Sequence, residues 1–253
     1  MDTAAYHLAT ALDPVTFARE ALGIEPDPWQ AEVLRSPGQR LLMNCCRQSG
    51  KSTIAAVLAL HEVLYRLGSL VLLISPSLRQ SGELCRKIKV LLSRLEVRPS
   101  LTEDSRLSLT FEGGSRVVSL PSSEATVRGF SGASLIVEDE AARVPDDLYR
   151  ACRPMLATSG GRLVLMSTPF GKRGHFHEEW ENGGPAWERV RITAHECPRI
   201  SPGFLEEERR SLGDLFFRGE YLCEFTESSG QLFAYGDVAA ALDDNVRPLF
   251  GGG

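Results

Sequence analysis

The chain has 253 residues, of which 43% are hydrophobic and 24% are charged, and its formal net charge is −5. This length predicts one large α/β domain or a core domain with a small appendage, and the composition is typical of a soluble globular protein. The net charge argues against a surface that is basic overall. It does not exclude nucleic acid, because a local stripe of arginines could still contact phosphates.

The sequence offers no support for a membrane or secreted protein. No apolar run approaches the roughly 18 residues that a membrane span needs, and the run 70–74 has the length of a strand. The first residues place no basic stretch before an apolar one, so we expect no secretory signal. The six cysteines form no Cys-x-x-Cys pair, and we expect them to be reduced thiols in a cytosolic protein.

The predicted elements alternate between helices and strands. In chain order, we expect a helix over 3–24, a strand over 40–43, a helix over 51–64, a strand over 69–75, a helix over 78–95, a hairpin over 107–111 and 116–120, a strand over 135–140, a helix over 145–156, strands over 162–168 and 187–193, and helices over 202–212 and 214–225. This order predicts a mostly parallel sheet flanked by helices, with ligands at the carboxyl ends of the strands.

The segment from Cys45 to Thr53 lies between the first predicted strand and the helix that follows it. It reads Cys-Cys-Arg-Gln-Ser-Gly-Lys-Ser-Thr, and Gly-Lys-Ser at the first turn of a helix after a strand is typical of a P-loop. The loop amides and the positive end of the helix would converge on a polyphosphate. Lys51 would reach the β- and γ-phosphates, and the Ser52 hydroxyl would ligate Mg²⁺.

A second motif ends the strand predicted over 135–140. There the apolar run Leu-Ile-Val is followed by Glu138, Asp139 and Glu140. Asp139 is placed to hold Mg²⁺ through water, as in a Walker B motif, and Glu140 is placed to polarise the attacking water. The alternative is a solvated acidic turn after a core strand, which the upstream P-loop disfavours.

From about Pro26 to Phe233 these features resemble the large terminase subunits of tailed bacteriophages, the ATPases that package DNA. The Walker A loop of that family lacks the opening glycine, whose position here is Cys45, and it carries a basic residue before Gln-x-Gly-Lys, as Arg47 does here. The resemblance implies a three-layer P-loop NTPase fold of the RecA-like, ASCE type with a small C-terminal lid. It also implies a set of ATP-binding residues: Gln30, Arg47, Gln48, Ser49, Gly50, Lys51, Ser52 and Thr53.

The resemblance assigns further roles outside the loop. Gln30 would read adenine, although without the family a surface helix residue is the preferred interpretation. Thr168, in Ser-Thr-Pro at a strand end, would couple the γ-phosphate state to domain movement, although a hydroxyl before proline is common. Arg128 would be a finger that reaches the nucleotide of a neighbouring subunit. Its alternative is an ordinary surface arginine, and Arg47, acting in cis, is the rival for the role.

The resemblance also divides the chain into parts. Residues 1–200 would form the ATPase core with its N-terminal helical segment, 201–233 the lid, and 234–253 a linker toward a nuclease domain. The tail holds Asp237, Asp243 and Asp244, but a nuclease needs several carboxylates that converge on two metals from a folded sheet. We therefore expect no DNA cleavage from this chain.

The function implied is that of a motor that hydrolyses Mg-ATP and translocates double-stranded DNA into a procapsid. Its expected cofactors are ATP and Mg²⁺, and its expected partners are double-stranded DNA, a homo-oligomeric ring (a pentamer) on the portal, and the small terminase subunit. We expect it in the host cytoplasm, away from membranes. Two alternatives remain: a superfamily 2 helicase, because Asp-Glu-Ala-Ala at 139–142 is similar to Asp-Glu-Ala-Asp, and a regulatory P-loop protein that hydrolyses little ATP.

Overall fold

The computed structural model describes residues 3–121 and 129–226. An eight-stranded sheet runs through it. The strands are β1 (Arg40–Cys45), β2 (Leu70–Ser75), β3 (Leu101–Asp104), β4 (Ser108–Phe111), β5 (Arg116–Pro121), β6 (Leu135–Asp139), β7 (Arg162–Ser167) and β8 (Glu188–Ile192). Their order across the sheet is β3-β4-β5-β2-β6-β7-β1-β8.

Most of the sheet is parallel, as predicted. β5, β2, β6, β7, β1 and β8 all pair in parallel, while β3 and β4 add an antiparallel edge. The strand that precedes the P-loop, β1, is separated by β7 from the strand that carries the acids, β6. Because parallel strands end at the same edge of a sheet, the carboxyl ends of these three strands meet in one place.

Helices cover both faces of the sheet. They are α1 (Thr3–Leu12), α2 (Pro14–Thr16), α3 (Pro28–Arg35), α4 (Lys51–Tyr65), α5 (Leu78–Leu92), α6 (Asp146–Cys152), α7 (Gly174–Glu181), α8 (Pro202–Leu212) and α9 (Asp214–Leu222). One apolar cluster joins α4 and α5 to side chains such as Val137, and the opposite cluster joins α6 and α7 to side chains such as Ile136. The predicted three-layer α/β fold is therefore confirmed.

The alternation of side chains along β6 decides which acid reaches which face. Val137 packs in the cluster that contains α4, and Ile136 packs in the cluster that contains α6 and α7. Because successive side chains point to opposite faces of a sheet, Asp139 lies on the α4 face and Glu138 on the α6–α7 face. The two neighbouring acids therefore belong to different environments.

The prediction of one helix over 3–24 is wrong. The helical segment breaks at Asp13, whose φ of −128° and ψ of 108° are extended. Its carboxylate accepts hydrogen bonds from the backbone amides of Val15 and Thr16 at 3.1 and 3.3 Å, and Pro14 occupies the first position of α2. A π-helical turn over Phe17–Ala21 follows. Asp-Pro starts a new helix here because proline cannot donate to the preceding turn.

Three further predictions needed adjustment. The helix predicted over 145–156 is α6 followed by a 3₁₀ turn, Arg153–Leu156. α5 ends at Leu92 and α9 at Leu222, so the apolar spacing extended both helices too far. The elements α3, β3 and α7 had no sequence prediction.

Within the described residues, no helix is both long enough and apolar enough to cross a membrane. All six cysteines are buried free thiols, as expected. Helices α8 and α9 occupy most of the segment expected to be a lid, and Leu205, Phe217 and Tyr221 join the apolar cluster of the α4 face. The lid boundaries themselves stay a prediction, and residues 227–253 lie outside the described chain.

Candidate active site

The loop between β1 and α4 is the predicted P-loop. Two of its residues have positive φ, Gln48 at 61° and Gly50 at 94°. The positive φ of Gly50 favours glycine, and a Cβ there would lie 2.6 Å from Nε2 of Gln30, so a larger residue would also displace the Gln30 amide. The chain turns at Gly50 directly into α4, whose first amides lack carbonyl partners within the helix and carry the positive end of its dipole. This arrangement favours anions.

The carbonyl of Ser49 is held in place by two side chains from outside the loop. Nε2 of Gln30 donates to it at 3.1 Å and Nη2 of Arg199 donates at 2.8 Å. Both donors are tied to Asp27, because Oε1 of Gln30 accepts from its amide at 3.0 Å and Arg199 pairs with its carboxylate at 2.8 Å. Gln30 is only 5% exposed, so the alternative interpretation of Gln30 as a surface helix residue is excluded. Sequence reasoning had no signal for Arg199.

Lys51 faces the acids at the end of β6. Its Nζ lies 3.3 Å from Oε1 of Glu140. The amide of Glu140 donates to Oδ1 of Asp139 at 3.0 Å. Lys51 and Asp139 are only 8% and 9% exposed, so the alternative of a solvated acidic turn is wrong. The structure therefore brings the three principal predicted residues together.

The charges at this point shift the pKa values of their groups. Burial raises the pKa of Asp139 to about 6, although the ammonium of Lys51 acts in the opposite direction. Burial alone would lower the pKa of Lys51, but the carboxylates of Glu140 and Asp139 outweigh it and raise that pKa. Lys51 is thus held as a cation, which is the state that phosphate binding requires.

Glu140 itself occupies a strained backbone position. Its φ of 54° and ψ of 42° lie in the left-handed region, and it caps the 3₁₀ turn Ala141–Arg143. Such a conformation is unfavourable for a residue with a side chain and is found most often at functional sites. The turn brings Arg143 back toward the end of β7.

Arg143 joins the acids to two other predicted residues. Its Nη1 lies 3.0 Å from Oε2 of Glu140 and 3.4 Å from Oγ1 of Thr168. Its Nη2 lies 3.3 Å from Oε1 of Glu220 on α9, and Nε of Arg47 lies 2.8 Å from the other oxygen of that carboxylate. Sequence reasoning missed Arg143 and Glu220. The spacing of three residues between Glu140 and Arg143 was the one available signal.

The remaining predicted residues are placed as follows. Ser52 and Thr53 lie half-buried in the first turn of α4, and Oγ1 of Thr53 accepts from Nζ of Lys87 on α5 at 3.4 Å. Burial lowers the pKa of Lys87, against the opposing charge of Asp139. Arg128 lies outside the described residues.

Glu138 belongs to a separate ionic cluster on the opposite face of the sheet. It is fully buried, and its Oε1 lies 2.7 Å from Nε2 of His175, whose Nδ1 lies 3.1 Å from Asp146. Burial would lower the pKa of His175, but the two carboxylates outweigh it and raise that pKa. The ring of Tyr149 stacks on His175 at 4.3 Å. This cluster anchors α6 and α7 to the strand that presents Asp139.

The donors at this edge of the sheet suit a magnesium–nucleotide complex. Ser52 and Asp139 offer hard oxygen ligands, while Lys51 and the start of α4 offer positive charge. Among residues 3–121 and 129–226, no group of three or more His, Cys, Asp or Glu side chains is arranged to hold a metal. Mg²⁺ commonly uses one or two protein oxygens together with phosphate oxygens and water, so this donor set fits.

Comparison with known families decides which P-loop proteins this chain belongs with. A family model described as "Terminase large subunit, T4likevirus-type, N-terminal" matches residues 42–239. This chain belongs to the large terminase subunit family. The match covers the P-loop, the β6 acids and the α9 residue Glu220, and it favours a terminase over a helicase.

Two curated large terminase subunits illustrate the relationship. That of Thermus virus P23-45 is 28% identical over 258 aligned positions, covering 88% of this chain and 53% of the relative. That of Escherichia phage T5 is 28% identical over 253 positions, covering 94% of this chain and 56% of the relative. The chain thus spans about half the length of the curated relatives it matches.

Solved structures show which half of a large terminase this is. The large terminase ATPase domain of Thermus phage P74-26 superposes with a TM-score of 0.73 at 25% identity, covering 85% of this chain and 100% of that domain. The large terminase of bacteriophage HK97 gives a TM-score of 0.70 at 15% identity, covering 85% of this chain and 55% of that one. The large terminase of a thermophilic bacteriophage, solved in complex with ADP, gives 0.62 at 16%, covering 79% and 53%. The last two share the fold.

Proposed function

We propose that this chain is the ATPase motor domain of a viral large terminase subunit, which hydrolyses Mg-ATP to translocate double-stranded DNA into a procapsid. The observation that carries the proposal is the contact of the P-loop Lys51 with Glu140, beside the buried Asp139. A phosphate-binding cation and a candidate base meet at the carboxyl edge of one sheet, where this reaction needs them. Family membership and the ADP-bound relative support the choice of nucleotide.

The phosphates would lie against the loop and the first turn of α4. The backbone amides of Gln48, Ser49 and Gly50 would surround them, with Thr53 closing the first helical turn and Lys51 reaching the β- and γ-phosphates. Ser52 and Asp139 would hold Mg²⁺, Asp139 through water. When bound, Mg²⁺ would neutralise charge on the phosphates.

Catalysis would depend on Glu140, which orients and polarises the attacking water. Lys51 now pairs with this carboxylate and would turn to the nucleotide when it binds, leaving Glu140 free to face the water. Arg47 in cis or Arg128 in trans would neutralise the charge that develops on the phosphoryl group. Thr168, at the end of β7 between the two motif strands, would report the phosphate state to the rest of the domain.

Gln30 is the proposed adenine contact. Its amide makes one bond to Asp27 and one to Ser49, and it retains one N–H and one carbonyl lone pair. That donor and acceptor match the N6 and N7 edge of adenine.

The partners follow from the proposed role. They are double-stranded DNA, further copies of this chain in a pentameric ring on the portal, and the small terminase subunit, all in the host cytoplasm during packaging. The absence of nuclease activity remains a prediction, since residues 227–253 lie outside the described chain.

Two substitutions test the proposed ATPase. Lys51→Ala should weaken binding of a fluorescent ATP analogue by about 100-fold or more, because it removes the buried cation that phosphate oxygens contact. Glu140→Gln should leave that affinity within about threefold and lower turnover by about 10²–10⁴, the range expected for loss of a positioned base. Binding is measured at equilibrium, and turnover from phosphate release.

Arg150→Ala provides the control, because its exposed guanidinium pairs with Asp147 at 3.1 Å on the surface of α6. A Glu140→Gln protein that hydrolyses ATP at the wild-type rate would remove Glu140 from the chemistry. Unchanged binding in Lys51→Ala would remove the P-loop assignment altogether.

A further inference from the structure

Arg143 contacts four parts of the site at once. Beyond its bonds to Glu140, Thr168 and Glu220, its guanidinium lies over the ring of Phe170, with Cζ 4.5 Å from the ring centroid. Its side chain is 27% exposed. A planar group with five donors can serve several acceptors in this way, which a lysine ammonium cannot do with the same geometry.

The contacts form a continuous chain of alternating charges. Lys51 pairs with Glu140, Glu140 with Arg143, Arg143 with Glu220, and Glu220 with Arg47. Each carboxylate is therefore shared by two cations. Lys51 and Arg47 both belong to the P-loop, whereas Arg143 belongs to the turn after β6.

This division matters once a nucleotide arrives. Lys51 is proposed to turn toward phosphate, so Glu140 would lose one of its two partners. Glu220 would likewise lose one of its partners where Arg47 acts in cis. The side chains of Glu140 and Glu220 are only 22% and 7% exposed. An uncompensated charge at such depth is costly. Arg143 is the cation that remains in reach of both carboxylates.

We propose that Arg143 is a positioning residue of the ATPase site, which holds the carboxylate of Glu140 in its working position when Lys51 turns to the nucleotide and links it to Glu220 of α9. The inference rests on the proposed function, in which Glu140 orients the attacking water. Since Nη1 of Arg143 contacts both Glu140 and Thr168, the same guanidinium also fixes the catalytic carboxylate of Glu140 relative to the end of β7. A carboxylate misplaced by about 1 Å can lose about 100-fold in rate.

The test separates kcat from nucleotide affinity in the full 253-residue chain. Arg143→Ala should lower kcat by about 10- to 100-fold while the dissociation constant for the fluorescent ATP analogue stays within about threefold, because Arg143 lies outside the P-loop. Arg143→Lys should recover part of kcat, since an ammonium can still pair with Glu140 but cannot also bridge to Glu220. Glu220→Gln should lower kcat less than Arg143→Ala does.

Arg150→Ala is the matched control, a nearby arginine whose surface pair leaves the site untouched. Melting temperatures are recorded for each variant, and rates are taken well below them. If Arg143→Ala keeps the kcat of the control while Glu140→Gln is inactive, the inference is overturned and the proposed function stands. A wild-type rate in Glu140→Gln would instead overturn the proposed base. An equal loss of affinity and turnover with a large drop in melting temperature would make Arg143 purely structural, which also overturns the inference.

Discussion

At the scale of single residues, the site is built from side chains with more than one partner. The carbonyl of Ser49 accepts from two donors, Gln30 and Arg199. Gln30 is the proposed adenine contact, whereas Arg199 has no proposed contact with adenine. Because both hold the same atom of the loop, they can be compared directly.

Replacement of Gln30 by alanine should weaken ATP binding more than GTP binding, because adenine and guanine present different donors and acceptors at N6 and O6. Arg199→Ala should weaken both nucleotides equally, by about three- to tenfold, since it removes one hydrogen bond that positions the loop. Competition against a fluorescent analogue measures all four affinities. Equal losses for ATP and GTP in Gln30→Ala would assign Gln30 to the loop alone and end its adenine role.

At the scale of elements, the N-terminal segment depends on Asp13. This carboxylate caps α2 and pairs with Arg35 of α3 at 2.7 Å, and thereby fastens two helices at the break in the chain. The hydrogen bonds from Arg35 lower the pKa of Asp13 well below its ordinary value, although partial burial opposes them. A carboxyl whose pKa is lower in the folded state stabilises the fold above the unfolded pKa and loses that contribution as the pH falls.

Asp13→Asn should therefore reduce the free energy of unfolding at pH 7 by about 1 kcal/mol, the size of a partly exposed ion pair, because asparagine can still cap the helix but cannot pair with Arg35. The difference from wild type should narrow as the pH drops below about 4, where the unfolded carboxyl becomes protonated. Urea denaturation at pH 7, 5 and 3.5 measures both effects. Asp147→Asn, whose carboxylate is 77% exposed, serves as the control. A difference that stays constant over this pH range would show that the charge of Asp13 contributes nothing.

At the scale of the whole molecule, the strand order determines which residues come together at the carboxyl edge of the sheet. β7 lies between β1 and β6, so Thr168 at its end is placed between the P-loop and the acids. α9 reaches the same edge, because the amide of Arg47 donates to the carbonyl of Glu220 at 3.2 Å. The C-terminal helix is thus attached to the phosphate-binding loop by backbone as well as by charge.

The proposed ring predicts a rate that depends on assembly. The ATPase rate per subunit should climb with protein concentration in the wild type and stay flat in Arg128→Ala, because a finger supplied in trans acts only between neighbours; a finger can contribute about 10³–10⁵ in turnover. Binding of nucleotide to the monomer should be the same in both. Arg47→Ala is measured alongside. A flat profile in wild type and variant alike would remove the trans finger and leave Arg47 as the residue that acts in cis.

Much of the fold could be predicted because its signals are local. Buried parallel strands are continuous apolar runs, so β1, β2, β6 and β7 were each located to within a few residues. The edge strand β8 was located by its alternation instead. The sequence did not predict β3, because its Leu-Thr-Glu-Asp sequence lies at an exposed edge. It did not predict α7, because that helix is short and begins at a glycine. The π-helical turn after Asp13 has no recognised sequence pattern. These elements are decided by what packs against them.

The sequence by itself determined the P-loop, the acids at the end of β6 and the sheet that brings them together. Each of these features depends on neighbouring residues with a fixed period or spacing. Only the tertiary structure decided that Glu138 turns away to His175, that Arg199 supports Ser49, and that Arg143 and Glu220 complete the chain of charges between Lys51 and Arg47. The physical reason is that ion pairs depend on distance in space. Residues 47, 140 and 220 become neighbours only when the order of the strands has been set.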